Sequence, residues 1–536
     1  MGVDLISKSY LVIDDFADMR SMLRSMLVAY GVTNIDMAGN GKDALKLLSK
    51  KSYDVVLCDY NLGEGKDGQQ VLEEAKDQGF IQYSTAFLMI TAENTMEMVM
   101  GAVEYLPDDY LSKPFNKDML RSRLEKVIIR KDDLHDVVKL LNKEQYEDAI
   151  ALCDDKLGKN PRNLTELIKL KAEILMKAER YADAAVIFES VLAKRDAPWA
   201  MLGMGKVYFY TQKYMQAKEI FQQIIDANKT HMEAYDWLAK TALELGDQKE
   251  ALHVLAKATE ISPKSIVRQM ELGNLALKEN DLGVATKAFK KAVHVGCNSI
   301  YQTPSNYSKL AKILSKNSGK EALSVLAKLR GDYGKGDDEA NLHAAISESL
   351  VLKDLGRDSE AQKAYAEASK LYDKSGGDVS RDVVMEMATA CLANDDKDRG
   401  LLMLQSLVRN NHQDQEVLAQ VQEVFGSVGM EVEGQGVIKA AIEEVVKLNN
   451  AGTQLAKSGK LEEAISFFEK AVRNMPDNST INMNIANVLL MHMKAKGKSD
   501  NYLYKVRQHL ERVQRRDPNN ENYRKLNAAY EKMAAS

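Results

Sequence analysis

Five polar residues stand where short apolar runs stop. Asp14 and Asp15 follow Tyr10–Ile13, Asp59 follows Asp54–Cys58, Thr91 follows Phe87–Ile90, and Lys113 follows Tyr110–Leu111. Three carboxylates brought together repel one another unless a cation sits among them, and an all-oxygen donor set suits Mg²⁺. A metal beside Asp59 leaves that carboxylate able to attack a phosphoryl group, while Mg²⁺ and the Lys113 ammonium neutralise the oxygens in transfer. The plainer alternative makes Asp14-Asp15 a polar turn and Asp59 a helix cap. Five such residues at four strand ends in order argue against it.

The elements needed to bring these groups together are visible as alternating patterns. Helical periodicity over Met19–Tyr30, closed by Gly31, separates the first run from a strand at Ile35–Ala38, and Gly41–Lys50 reads as a second amphipathic helix. Strands alternating with helices predict a parallel sheet in a doubly wound α/β domain, and such sheets bind ligands beyond the carboxyl ends of their strands.

The motifs DDFADMR (Asp14–Arg20), CDYNL around Asp59, TAE (Thr91–Glu93) and DDYLSKPF (Asp108–Phe115) occur in this order over residues 8–131. On them the segment resembles the receiver domain of two-component response regulators, in particular the single-domain chemotaxis regulator. The resemblance implies that Asp59 takes a phosphoryl group from a histidine kinase or phosphotransfer protein. It implies that Asp14, Asp15, Asp59 and the Asn61 carbonyl hold Mg²⁺, that Thr91 and Lys113 bind the phosphoryl oxygens, and that Tyr110 is an aromatic switch coupled to Thr91. Asn61 and Glu93 fall at positions that tune self-dephosphorylation in that family. One departure stands out: Gly63 replaces the family's usual proline, and Gly68 comes one residue late, so the loop LGEGKDG carries an extra residue. Glycines tolerate positive φ, which predicts a loose loop after Asp59.

The rest of the chain repeats. Ala149, Ala184, Ala217, Ala251 and Ala285 are spaced by 35, 33, 34 and 34 residues. A larger residue follows each by four (Cys153, Phe188, Phe221, Leu255, Phe289), and a mostly small one precedes each by twelve (Val137, Ala172, Gly205, Ala239, Gly273). The pattern resembles the tetratricopeptide repeat, a helix–turn–helix unit of about 34 residues, and so implies an all-α solenoid with a concave protein-binding face. The register loosens after Ala285, is not readable over 380–440, and returns with Gly452, Ala464 and Phe468. The expected organisation is a receiver domain at 8–131, regular repeats at 132–298, degenerate helical repeats with insertions at 299–440, and repeats with a capping helix at 441–536. Absence of Gly and Pro from Phe115 to Leu157 predicts a rigid junction, the last receiver helix running into the first repeat.

Bulk properties narrow the function. With 45% hydrophobic and 28% charged residues and a net charge of −5 over 536 residues, the chain is globular and has no general attraction to nucleic acid or anionic membrane. No 18-residue apolar run or signal-type segment occurs, and four widely spaced cysteines (Cys58, Cys153, Cys297, Cys391) read as buried thiols of a cytoplasmic protein. The strings EAL (Glu250–Leu252, Glu321–Leu323) lie on the alanine phase of the repeat, GGDVS (Gly376–Ser380) lacks the residues of a cyclase, and His135-Asp136 lacks further metal ligands. The basic cluster Lys505, Arg507, Arg512, Arg515 and Arg516 reads as a solvated helix face. The expectation is therefore a response regulator, catalytic only in its own phosphoryl uptake and loss, whose Asp59 controls protein binding by the repeats. The alternatives are an RNA- or transcription-complex-associated regulator, or a phosphate sink for a histidine kinase.

Overall fold

The structure is a computed structural model that describes residues 3–92, 107–159, 161, 163–334, 336–376, 379–517 and 520–535. The chain divides into two units, Met1–Leu310 and Ala311–Ser536.

The first unit begins with a five-stranded sheet of β1 (Tyr10–Ile13), β2 (Ile35–Ala38), β3 (Val55–Asp59), β4 (Ala86–Thr91) and β5 (Asp109–Ser112), in the order β2-β1-β3-β4-β5. Every neighbouring pair is parallel. Both faces are covered, so the central strands are apolar throughout rather than alternating. Tyr10, Val12, Val55, Leu57, Leu88 and Ile90 pack under helices α1 (Ala17–Val28) and α4 (Lys117–Leu141). Their alternates Leu11, Ile13, Val56, Cys58, Phe87 and Met89 pack under α2 (Gly41–Leu48) and α3 (Gly68–Asp77).

Helix α4 belongs to two cores. Leu120, Leu124, Val127 and Ile128 pack on the sheet, whereas Leu134, Val137 and Val138 pack with Ala149 and Cys153 of the following helix. The junction is therefore one unbroken helix, as expected. Lys131, which is buried, pairs with Asp108 at 2.8 Å and lies 4.4 Å from the centre of the Tyr83 ring.

Helix pairs then follow one another: α4 with Tyr146–Gly158, Leu164–Lys177 with Tyr181–Leu192, Pro198–Tyr210 with Tyr214–Ala227, Met232–Glu244 with Gln248–Ile261, and Ile266–Lys278 with Leu282–Val295. Each of the five phase alanines is fully buried. The small residue sixteen before the phenylalanine is required by contact: a Cβ on Gly205 would lie 2.5 Å from the Phe221 ring, and one on Gly273 would lie 2.8 Å from Phe289. The turn inside each pair holds one residue in the left-handed region, at Glu144, Glu179, Gln212, Gly246 and Asn280, always five before the alanine.

That left-handed turn recovers the register the residue pattern concealed. In the second unit Gly356, Asp395, Gly429 and Gly459 have positive φ, and five residues later stand Ala361, Gly400, Gly434 and Ala464, all buried. Glycine replaces alanine at the two middle positions because the partner helix lies closer; a Cβ on Gly400 would be 2.8 Å from the Leu392 side chain, and one on Gly434 would strike Phe425. The 27-residue helix Glu431–Lys457 holds both Gly434 and Gly452, and thus serves two successive packings as α4 does. The helix at the C-terminal end spans Glu521–Ala535.

Of the cysteines, Cys58, Cys153 and Cys391 are buried, but Cys297 is exposed, in the turn after Leu282–Val295. No helix among the described residues is long and apolar enough to cross a membrane.

Candidate functional site at the carboxyl edge of the sheet

The parallel register carries the polar strand ends to one edge. Ile13 pairs with Cys58 and Asp59 with Ile90, which places Asp14, Asp59 and Thr91 side by side. Beyond β5, the Lys113 amide donates to the Thr91 carbonyl at 2.7 Å. Asp14, Asp15 and Asp59 each bring one carboxylate oxygen within 4.8 Å of the others. Lys113 Nζ lies 3.1 Å from Asp14 Oδ2 and 3.1 Å from Asp59 Oδ2.

Asp14 and Asp59 are buried. Burial lifts the Asp59 carboxyl to about 6, helped by Asp14 and opposed by Lys113. The Lys113 ammonium also loses solvation, but its bonds to Asp59 and Asp14 outweigh that loss and raise its pKa. One ammonium thus faces three carboxylates, and the pocket keeps a deficit of positive charge. Asp15 Oδ1 is buried and has no hydrogen-bond partner among the described residues. A hard divalent cation meets both conditions, so the donor set fits Mg²⁺.

The acidic pair is positioned by a residue to which the sequence reading gave no role. Arg20, one turn into α1, donates from Nη1 to the carbonyls of Asp14 (2.6 Å) and Asp15 (3.0 Å). Asp14 Oδ1 accepts from the Phe16 amide at 2.8 Å, closing a turn that aims the other oxygen at Lys113. An arginine six residues after Asp14 is the only sequence signal for this.

The loop after Asp59 is not loose. Gly63 and Gly65 have φ of +72° and +99°, as their type permits. At its far end, Gly68 opens α3 directly against β3, where a Cβ would collide with the Asp59 carbonyl oxygen. The Gly68 amide donates to Tyr60 O at 2.8 Å, and Asp67 caps α3 in a capping box with Gln70. The loop tip is held as well: Asn298 Nδ2 donates to Gly65 O at 3.2 Å. Asn61 is exposed at the start of the loop. Tyr110 is turned inward with its hydroxyl buried and unpartnered among the described residues, and burial beside Tyr60 raises that phenol. Glu93 lies outside the described residues.

Residues 10–125 match the response regulator receiver domain family. Chemotaxis protein CheY-3 of Vibrio cholerae serotype O1 is 32% identical over 120 residues, which span 22% of this chain and 91% of that protein. The chain belongs to the response regulator receiver family. Chemotaxis protein CheY of Pseudomonas aeruginosa is 29% identical to the receiver over 120 residues, 22% of this chain and 95% of its own. A solved receiver structure, the chemotaxis response regulator CheY4 of Vibrio cholerae, is 27% identical, with 22% of this chain and 98% of its own covered and a TM-score of 0.21. Beyond the receiver, residues 175–241 and 233–265 match the tetratricopeptide repeat. The chain is thus a receiver domain fused to tetratricopeptide repeats.

The other strings resolve into packing. Ala251 and Ala322 of the two EAL strings are buried phase alanines. In the basic cluster, Lys505 pairs with Glu469, Arg507 with Glu511 and Arg516 with Asp477.

Proposed function

We propose that Asp59 is a phosphoryl acceptor in a phosphorelay, and that its state controls protein binding by the repeats. The observation that carries this reading is the single Lys113 ammonium 3.1 Å from both Asp14 and Asp59 within a triad of carboxylates. An Asp59 oxygen attacks the phosphorus of a phosphohistidine; the new P–O bond forms as the P–N bond breaks, and the histidine leaves. Lys113 then shifts from the carboxylates to an oxygen of the transferred group, and the Thr91 hydroxyl binds another. Asp14, Asp15, Asp59 and the Asn61 carbonyl are the groups that would hold Mg²⁺, which when bound neutralises charge on the phosphoryl oxygens. Asn61 and Glu93 set the lifetime of the acyl phosphate, and Tyr110 reads the position of Thr91.

The partners on this reading are a histidine kinase or phosphotransfer protein at the receiver, and a protein on the concave face of the repeats. The assigned extents are receiver 8–131, regular repeats 132–298, degenerate repeats 299–440, and terminal repeats with their capping helix 441–536. Ion pairing of Lys505, Arg507 and Arg516, three of the five cations in the basic cluster, favours a protein partner over RNA. In the test, the full chain is incubated with acetyl phosphate and Mg²⁺ and its acid-labile phosphate is counted. One group per chain is expected on the wild type and none on Asp59→Asn. Equal labelling of that variant would overturn the assignment.

A further inference from the structure

Among the described residues the receiver meets the repeats at two places, one around α4, where Tyr83 also packs on the core of the first repeats, and one far from it in sequence. One attachment is the continuous helix α4, which cannot hinge without breaking backbone hydrogen bonds. The other is non-covalent and more than two hundred residues away in sequence: the turn after Leu282–Val295 lies against the Asp59 loop and α3. There Asn298, itself at φ +71°, donates to Gly65 O at 3.2 Å and accepts from Lys66 Nζ through its carbonyl. Gln70 Nε2 donates to Cys297 O at 2.9 Å, and Ser299 Oγ donates to the buried Glu73 at 2.9 Å. From the preceding pair, Lys264 reaches Tyr60, its Nζ 3.2 Å from the hydroxyl and 5.3 Å from the ring centre.

We propose that this contact is a clasp governed by Asp59, closed while Asp59 is a free carboxylate and opened by its phosphorylation. The inference rests on the reading of Asp59 as the phosphoryl acceptor. Three features support it. The extra loop residue and its two left-handed glycines are what carry Gly65 out to Asn298. The same short loop borders the acidic pocket, where a Cβ on Gly63 would lie 3.4 Å from Asp15 Oδ2. The contacts of the clasp are mainly polar, and three of them lie at exposed positions. A phosphoryl group on Asp59 adds bulk beside Asp15, which Gly63 faces, and roughly −1.5 to −2 charge. The first lifts the loop and withdraws Gly65 from Asn298; the second draws Lys66 back from the Asn298 carbonyl.

Backbone hydrogen exchange on the full chain tests the inference. In the resting protein, amides of residues 60–76 and 296–303 should be protected. Acetyl phosphate with Mg²⁺ should speed exchange in both segments by about tenfold, within the usual span of coupled equilibria. Ser299→Asp, which sets a carboxylate against Glu73, should produce the same acceleration with no phosphodonor. By reciprocity it should also raise the phosphorylated fraction at limiting donor; Lys264→Met should act in the same direction. Unchanged exchange in both segments of fully phosphorylated protein would overturn the clasp and leave Asp59 as acceptor intact. If no phosphate enters Asp59, it is the acceptor reading that fails. Ser299→Asp then still decides the docking, since exchange equal to wild type would refute it.

Discussion

Replacing Asp15 by asparagine should stabilise the metal-free protein while removing its response to Mg²⁺. Asp15 has one buried oxygen without a hydrogen bond, and it lies within 4.8 Å of carboxylate oxygens on both Asp14 and Asp59. At an effective dielectric of about 20, two like charges at that separation repel by about 3.5 kcal/mol. Two such repulsions vanish in Asp15→Asn, whereas both Lys113 contacts remain because they go to the other two carboxylates. Asp15 is partly exposed, so water screens it; attraction to Lys113 also falls, and a net gain of about 1–3 kcal/mol is expected after these discounts. In wild type, Mg²⁺ at a hundredfold excess over its dissociation constant should add about 2.7 kcal/mol, and in the variant far less. The order of stability should therefore invert between chelator and saturating Mg²⁺. Hydrogen exchange of β1 and β3 amides against urea reads the receiver by itself. A variant less stable than wild type in chelator, or one that keeps the full Mg²⁺ increment, would refute the account of a pocket held under electrostatic strain for its ligand.

Two further predictions concern the repeats. His509 is buried, its Nδ1 2.8 Å from Asn482 Oδ1, and burial, reinforced by Arg512 and Lys505 and opposed by Glu469, lowers its pKa to about 4. Between the unfolded value of about 6.5 and this one the unfolded chain binds the extra proton, so stability present above pH 6.5 is lost as pH falls, by about 3 kcal/mol in all. His509→Gln should flatten that part of the stability–pH curve of the second unit, and identical slopes in variant and wild type would contradict it. Gly205→Ala places a Cβ 2.5 Å from the Phe221 ring and should cost about 1–3 kcal/mol. Denaturant unfolding checks this, and a neutral effect would mean that the ring has room to yield.

How far the sequence could be read follows from the range of each interaction. The receiver was legible because four of its five strands are short, mostly apolar and followed by a polar group, and because parallel pairing needs only that order to bring Asp14, Asp59, Thr91 and Lys113 to one edge. The first five helix pairs were legible because alanine and a large residue four later are local demands of a helix face. Gly400 and Gly434 broke the pattern over 380–440, since the phase there is kept by a left-handed turn and a closer neighbour rather than by alanine. Arg20 left only a faint trace. Its partners are backbone carbonyls, and a carbonyl has no residue type to recognise.

What the sequence determined by itself is therefore the local and the periodic: the strand ends, the helix faces, the capped start of α3, and a junction without glycine or proline that continues as one helix. Tertiary structure decided the rest. Only folding showed that Asp59 is buried enough to be lifted to about 6, that Asp15 keeps an unpartnered oxygen, and that Cys297 is exposed. It alone brought Asn298 onto the Asp59 loop and Ser299 onto α3. The glycines at 63 and 65 permit many loop shapes; the shape adopted is selected by a turn more than two hundred residues away, reached through the accumulated packing angles of five helix pairs. No single stretch of sequence encodes that sum.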